Sequence, residues 1–278
     1  MITYHSTSQS LVELGQSQRT SFTETPPFPH IVLDDFFDAD VLESVLKEAQ
    51  NVDKELSYAK FIRAKTEAQK YAFLPDVVGS ETTRLINFLN SGPIISYLEK
   101  LTGISGLLAD PSYFGGGVHL IGKGGFLEVH ADFNHLKKYN LERRINLLLY
   151  LNKDWLDEYN GKLELWDRKS MSRNVEPIFN RCVIFSTGKD SLHGHPAPLQ
   201  TPDGIVRCSI ALYYYTNTWG EEDVSHNTRY YASPNNNSKT KISRIARDFV
   251  LDLIPPIFRK GARAIKRRLK GETLKELK

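Results

Sequence analysis

Between about residue 112 and residue 216 the chain is written in short apolar runs separated by glycine, asparagine and charged residues, without the 3.6-residue period of a helix. The candidate strands are 116–121, 126–131, 144–151, 162–167, 181–186 and 206–215. Parallel neighbours need a crossover of roughly a dozen residues or more, usually a helix, and these connections carry no helical face. That leaves an antiparallel arrangement, and the number of strands suits a double-sheet jelly roll.

Helical signals come first in the chain. Asp38 suits an N-cap, and Val41, Leu42, Val45, Leu46 and Ala49 after it fall on one helical face. Ser80 opens a stretch carrying Leu85, Ile86, Phe88 and Leu89 that is interrupted at Gly92-Pro93; a further helix carries Ile94, Ile95, Leu98 and Leu101, with Gly103 suited to stop it. Ile31-Val32-Leu33 reads as a short strand. The fold expectation is therefore α+β, mainly β with flanking helices around a jelly-roll core. Its divisions are a flexible polar arm at 1–23, helical support at 24–111, the core at 112–220 and a basic helical extension at 221–278.

A chain of 278 residues can bury one substantial core. No run approaches the roughly 18 apolar residues of a spanning helix, and the N-terminus lacks the basic start and apolar stretch of a signal peptide. Cys182 and Cys208 both lie in apolar runs and read as buried free thiols, which suits a cytoplasmic protein. The net charge of +3 hides an asymmetry: residues 239–278 hold thirteen Lys/Arg against four Asp/Glu. Apolar residues at helical spacing in that segment, among them Ile242, Ile245, Phe249, Val250 and Leu253, suit peripheral attachment to an anionic membrane. No DNA-binding motif accompanies them, so specific nucleic-acid binding is not expected.

The run EVHADFN places His130 and Asp132 two apart, which on a strand is one face. A histidine from DSLHGHP could come alongside from a neighbouring strand. Two imidazoles and a carboxylate on one face of an octahedral ferrous ion leave three positions open. Spacing alone does not choose between His193 and His195, because they too are two apart. If a 2-oxo acid filled two open positions, its far carboxylate would need a buried cation. Arg207, fourteen residues after His193 and in an otherwise apolar strand, is placed to supply one. His119 and His135 read as surface residues or as neighbours of the ligands, and the Tyr213-Tyr214-Tyr215 run as core packing.

GKGGFLEVHADFN, RRINLLLYLNKDW, NGKLELWD, NRCVIFST, SLHGHPAPL and RCSIALYYYT occur in the order in which similar pieces occur in one family. From Gly115 to Trp219 the chain resembles the prolyl 4-hydroxylase-like branch of the 2-oxoglutarate/Fe(II) dioxygenase superfamily. The resemblance implies that His130, Asp132 and His193 hold iron and that Arg207 pairs with the C5 carboxylate of 2-oxoglutarate. It also implies that Ser209 supplies a helping hydroxyl, that Tyr150 contacts the cosubstrate, and that Asn146 and Leu163 face its pocket. Leu120 and Ile121 stand where many prolyl hydroxylases have a tyrosine, and Asn160-Gly161 replaces a Gly-Gly pair.

The implied activity is an Fe(II) dioxygenase using 2-oxoglutarate and O2, with ascorbate as an accessory reductant. Such an enzyme would hydroxylate a peptidyl or small-molecule C–H bond and release succinate and CO2. Two other readings share parts of this pattern. A cupin-like metalloenzyme that does not use 2-oxoglutarate would have no use for Arg207, and a non-catalytic binding protein would use only the basic tail.

Overall fold

The computed structural model describes residues 1–63, 66–217 and 225–231. The basic helices expected between 239 and 270, and Trp219, lie outside the described residues.

The strands in chain order are β1 (His30–Leu33), β2 (Ala59–Arg63), β3 (Glu67–Phe73), β4 (Leu108–Ala109), β5 (Gly117–Ala131), β6 (His135–Leu136), β7 (Leu141–Tyr150), β8 (Leu163–Trp166), β9 (Met171–Val175), β10 (Cys182–Ser186), β11 (Leu192–His195), β12 (Arg207–Thr216) and β13 (Arg229–Tyr230). The helices are α1 (Ser8–Thr23), α2 (Ala39–Asn51), α3 (Pro75–Val78), α4 (Ser80–Leu89) and α5 (Gly92–Thr102). Every pairing between these strands is antiparallel, with the main order β1-β10-β7-β12-β5-β11-β8-β9. The sheet rolls up until its far end faces its middle. Leu163, Leu165 and Val175 from β8 and β9 pack on Tyr150, Val183 and Phe185 from β7 and β10. The result is the jelly roll expected from the strand spacing.

Strand β12 shows why a whole strand can be buried. Cys208, Ile210, Leu212 and Tyr214 project outward into a core shared with α2, α4 and α5, which contribute Leu42, Val45, Leu85, Ile94, Leu98 and Leu101. Arg207, Ser209, Ala211, Tyr213 and Tyr215 alternate with them and face the barrel interior. The helices thus cover one face of the barrel wall and leave its lumen to the polar residues. Cys182 and Cys208 are free and buried.

Three expectations are corrected. Residues 8–23 are not a flexible arm but helix α1. Thr7 caps it by accepting from the Ser10 N–H, and Leu11, Gly15 and Phe22 are buried. The low polarity contrast of that helix hid it, because only three positions face the core. Segments 116–121 and 126–131 are one long strand, β5, which continues across Gly122–Gly125. Finally, within the segment expected to be helical support, Ala59–Arg63 and Glu67–Phe73 pair as strands β2 and β3, and β3 also pairs with β5.

Candidate active site

Strands β5 and β11 lie side by side with His130 opposite His193. Their ligating atoms and those of Asp132, just beyond the end of β5, all lie within 4.8 Å of one another. The Nε2 atoms of His130 and His193 are each 3.5 Å from an Asp132 carboxylate oxygen, Oδ1 and Oδ2 respectively. The other ring nitrogens are taken: His130 Nδ1 donates to the Glu128 carbonyl at 2.8 Å and His193 Nδ1 to the Ser191 carbonyl at 3.0 Å. A carbonyl can only accept, so each Nδ1 carries a proton, and each ring directs its Nε2 to the space beside Asp132. Phe185 packs edge-on against the His193 ring, at 4.7 Å between centroids, and helps fix its plane. Burial and the neighbouring His130 lower the His193 pKa to about 4, so His193 is neutral and able to ligate at neutral pH. Two fixed imidazoles and a carboxylate with converging lone pairs are a donor set that fits a ferrous ion.

His195 is absent from this group. The β11–β5 register shifts between His193 and His195, so that His195 pairs with Leu127 instead of completing the ligand face. The tie left by two-residue spacing is thus broken by the register of the pairing, which sets His193 opposite His130 and His195 on the side of it away from Asp132, a relation the sequence does not display.

Asp132 is also held by two side chains that are not ligands. Its Oδ2 receives Arg143 Nη2 at 2.9 Å and Asn146 Nδ2 at 2.7 Å, and Arg143 in turn donates twice to Asn146 Oδ1, at 3.0 and 2.8 Å. The Arg143 guanidinium lies over the Tyr213 ring, 3.5 Å from its centroid, with Phe133 on another side at 4.8 Å. Burial alone would raise the Asp132 carboxyl, but Arg143, then His193 and His130, hold it well below the usual carboxylate range. With Oδ2 so engaged, Oδ1 is the oxygen left for a metal. Arg143 escaped the sequence reading, and Asn146, expected there to face the cosubstrate pocket, is bonded to Asp132.

Deeper in the barrel Arg207 is 4% exposed. Its Nε donates to the Gly161 carbonyl at 2.9 Å, its Nη2 lies 3.4 Å from the Tyr150 hydroxyl, and the guanidinium sits 4.9 Å from that ring's centroid. Among the described residues no carboxylate lies within ion-pair distance of it. Gly161 has φ +78°, and a Cβ there would come 3.2 Å from Arg207 Cδ and 2.5 Å from Leu199 Cδ2, so the turn that seats Arg207 needs a glycine. Asn160 before it also takes a positive φ, of 59°. Tyr150 is fully buried and its pKa is raised by burial, so it stays a phenol. Ser209 pairs with Tyr150 across one strand boundary and with His119 across the other, and Leu163 packs in the cluster that contains Tyr150. His119, read as a surface or supporting residue, is buried on the same wall, while His135 lies outside it and contacts Asn140. Tyr230 of β13 lies against the His130 ring, 5.5 Å between centroids.

Residues 116–215 match the family model described as the 2OG-Fe(II) oxygenase superfamily. This segment belongs to the 2-oxoglutarate/Fe(II) oxygenase superfamily. Its cofactor is accordingly Fe(II), with 2-oxoglutarate and O2 as cosubstrates, and the three converging ligands suit that metal. Three solved structures share the fold. A Trichoplax adhaerens prolyl hydroxylase, in complex with a hypoxia inducible factor oxygen degradation domain peptide fragment, is 20% identical with a TM-score of 0.54, the match covering 74% of this chain and 91% of that one. A Pseudomonas putida prolyl-4-hydroxylase is 17% identical with a TM-score of 0.53, covering 73% and 99% of the two chains. A Phytophthora capsici prolyl 4-hydroxylase is 18% identical with a TM-score of 0.53, covering 77% and 68%. Comparison with curated proteins gave no match.

Proposed function

We propose that this oxygenase is a 2-oxoglutarate-dependent hydroxylase of the prolyl 4-hydroxylase-like type, acting on a peptidyl or small-molecule C–H bond. The observation that carries the reading is Arg207. An unpaired guanidinium buried in the wall of the barrel that holds the three ligands is costly, and it becomes favourable when a carboxylate enters. A cupin-like enzyme without 2-oxoglutarate leaves that cation unexplained. When bound, the iron with 2-oxoglutarate and O2 supplies the oxidising chemistry, with succinate and CO2 as by-products.

The chain's own residues divide the work. His130, Asp132 and His193 would hold the metal, while Arg143 and Asn146 fix which carboxylate oxygen faces it. Arg207 would receive the far carboxylate, and Tyr150 would orient the guanidinium through its hydroxyl. The fold likeness to prolyl hydroxylases, one of them solved with a peptide fragment, supports proline-containing peptides as the first substrates to screen. The test is succinate formation from 2-oxoglutarate under air, with and without added iron. The expected result is iron-dependent succinate production and, for Arg207→Met, a rise in KM for 2-oxoglutarate of roughly a hundredfold, the order of a lost charged pair. Substrate turnover that proceeds without 2-oxoglutarate would overturn the proposal.

A further inference from the structure

Side chains at the level of the metal ligands can be followed around the barrel by their strand pairings, because residues opposite one another on neighbouring strands share a face. From His130 on β5 the row passes to His193 on β11, Leu165 on β8 and Arg173 on β9. On the other side, Tyr213 of β12 lies opposite Asn146 of β7, Asn146 opposite Phe185 of β10, and Phe185 opposite His30 of β1. Strands β9 and β1 stand at the two ends of the main strand order, and among the described residues no strand pairing joins them. Two side chains bridge this seam: Arg173 Nη1 donates to His30 Nε2 at 2.9 Å. His30 is fully buried, and its Nδ1 donates to the Phe28 carbonyl at 2.8 Å. A carbonyl only accepts and a guanidinium only donates, so both ring nitrogens are committed and the ring is neutral.

The bond fixes a cation in the layer of the ligands without neutralising it. Among the described residues no carboxylate lies within ion-pair distance of Arg173, and the donation to His30 is its one hydrogen bond. Its Nε and Nη2, the edge that grips a carboxylate through two parallel N–H bonds, are left over. Arg173 is exposed, whereas the wall between it and the ligands is apolar: Leu165 clusters with Phe28 and Phe185, and Phe185 packs on the His193 ring. Two strand spacings, about 10 Å, separate β9 from β11. An arginine that served only solubility would need no buried histidine to aim it.

We propose that Arg173 is a substrate-anchoring residue that takes a carboxylate carried by the substrate, with His30 as the residue that positions it. This names the substrate class for the hydroxylase read above and rests on that reading: a molecule with an apolar stretch between the C–H bond that reacts and a carboxylate roughly 10 Å from it. One guanidinium balances one negative charge, which favours a carboxylate over a phosphate dianion.

The test measures binding to the full chain loaded with Mn2+ in place of iron and saturated with 2-oxoglutarate, so that the Arg207 site is already filled. The probes are two matched pairs, acetyl-Pro-Glu amide against acetyl-Pro-Gln amide and hexanoate against hexanamide, followed through the relaxation of their protons by Mn2+. In at least one pair the carboxylate is expected to bind about tenfold more tightly than its amide, the order of a hydrogen bond to a charged group. Arg173→Gln should abolish that preference and leave binding of the amide unchanged. His30→Leu should weaken the preference, and His30→Gln, which carries an acceptor at similar reach, should restore it. Arg173 is exposed, so its variant leaves no cavity in the core and decides the matter even if His30→Leu does not fold. Equal binding within both pairs would overturn the proposal, as would a preference that survives Arg173→Gln; a lower unfolding midpoint with that preference intact would make the bond to His30 a clasp between strand edges and nothing more. Titration of the Mn2+ protein with 2-oxoglutarate separates the two levels. If the cosubstrate does not bind, the hydroxylase reading falls as well; if it binds and no carboxylate preference is found, only this inference falls.

Discussion

Asp132 illustrates how much of a metal site lies outside the ligands. One of its oxygens is occupied by Arg143 and Asn146, the other faces His130, and the two histidine rings are locked by backbone carbonyls two residues upstream. Such outer partners ordinarily matter 10–100-fold in metal affinity. Asn146→Leu removes a neutral donor without changing the charge, and the Mn2+ dissociation constant of that variant should rise by about that factor. An unchanged constant would show that Arg143 alone positions the carboxylate. Neither partner follows from spacing. Counting by twos from Ile145, Leu147 and Leu149, which face the helices, would put Arg143 on the outer side of β7. The β12–β7 register shifts between Tyr214 and Tyr215, which brings Arg143 onto the face of Asn146.

At the scale of elements, two contacts join helices that the sequence presents as separate. Gly15 lies where α1 crosses α5, and a Cβ there would sit 2.5 Å from the Tyr97 carbonyl oxygen and 3.1 Å from the Leu101 nitrogen. In an exposed helix Gly→Ala stabilises by about 1 kcal/mol. Here the sign should reverse: Gly15→Ala is expected to cost about 1–3 kcal/mol through overpacking, read as a lower midpoint in urea. The second contact is Glu48 of α2, which caps α4 in place of a side chain from Gly79. Its carboxylate accepts from the Glu81 N–H at 3.0 Å and from the Thr82 N–H and hydroxyl at 2.8 and 2.7 Å. Burial pushes its pKa up, but these hydrogen bonds win and leave it below the ordinary value. A depressed carboxyl stabilises the fold above its unfolded pKa and loses that contribution as pH falls through the folded value. Glu48→Gln should therefore cost about 1 kcal/mol at neutral pH, and the gap between variant and parent should close in unfolding experiments below about pH 4.

For the molecule as a whole, the described part of Met1–Tyr230 is one compact unit in which the helical layer and the barrel share a core. Leu98→Ala in α5, remote from the lumen, is expected to cost about 2–5 kcal/mol in unfolding while leaving 2-oxoglutarate affinity unchanged in the metal-loaded protein. A parallel fall in affinity would mean that the helices also shape the pocket. Much of this architecture was legible in the residues. Short apolar runs without crossover helices specified an antiparallel roll, and the 3.6-residue periods of α2, α4 and α5 gave their buried faces, because local periodicity records which side of an element meets the core. His130 and Asp132 were readable for the same reason, being two apart on one strand. Arg207 was readable as a charge in an apolar run. What only the tertiary structure decided are the relations between strands: His193 rather than His195 in the ligand group, Arg143 on Asp132, and the buried His119 on the barrel wall that carries Arg207. Each depends on a register shift or a pairing between segments far apart in the chain. A shift of one residue turns a side chain to the other face of the sheet, and no pattern within either segment records it.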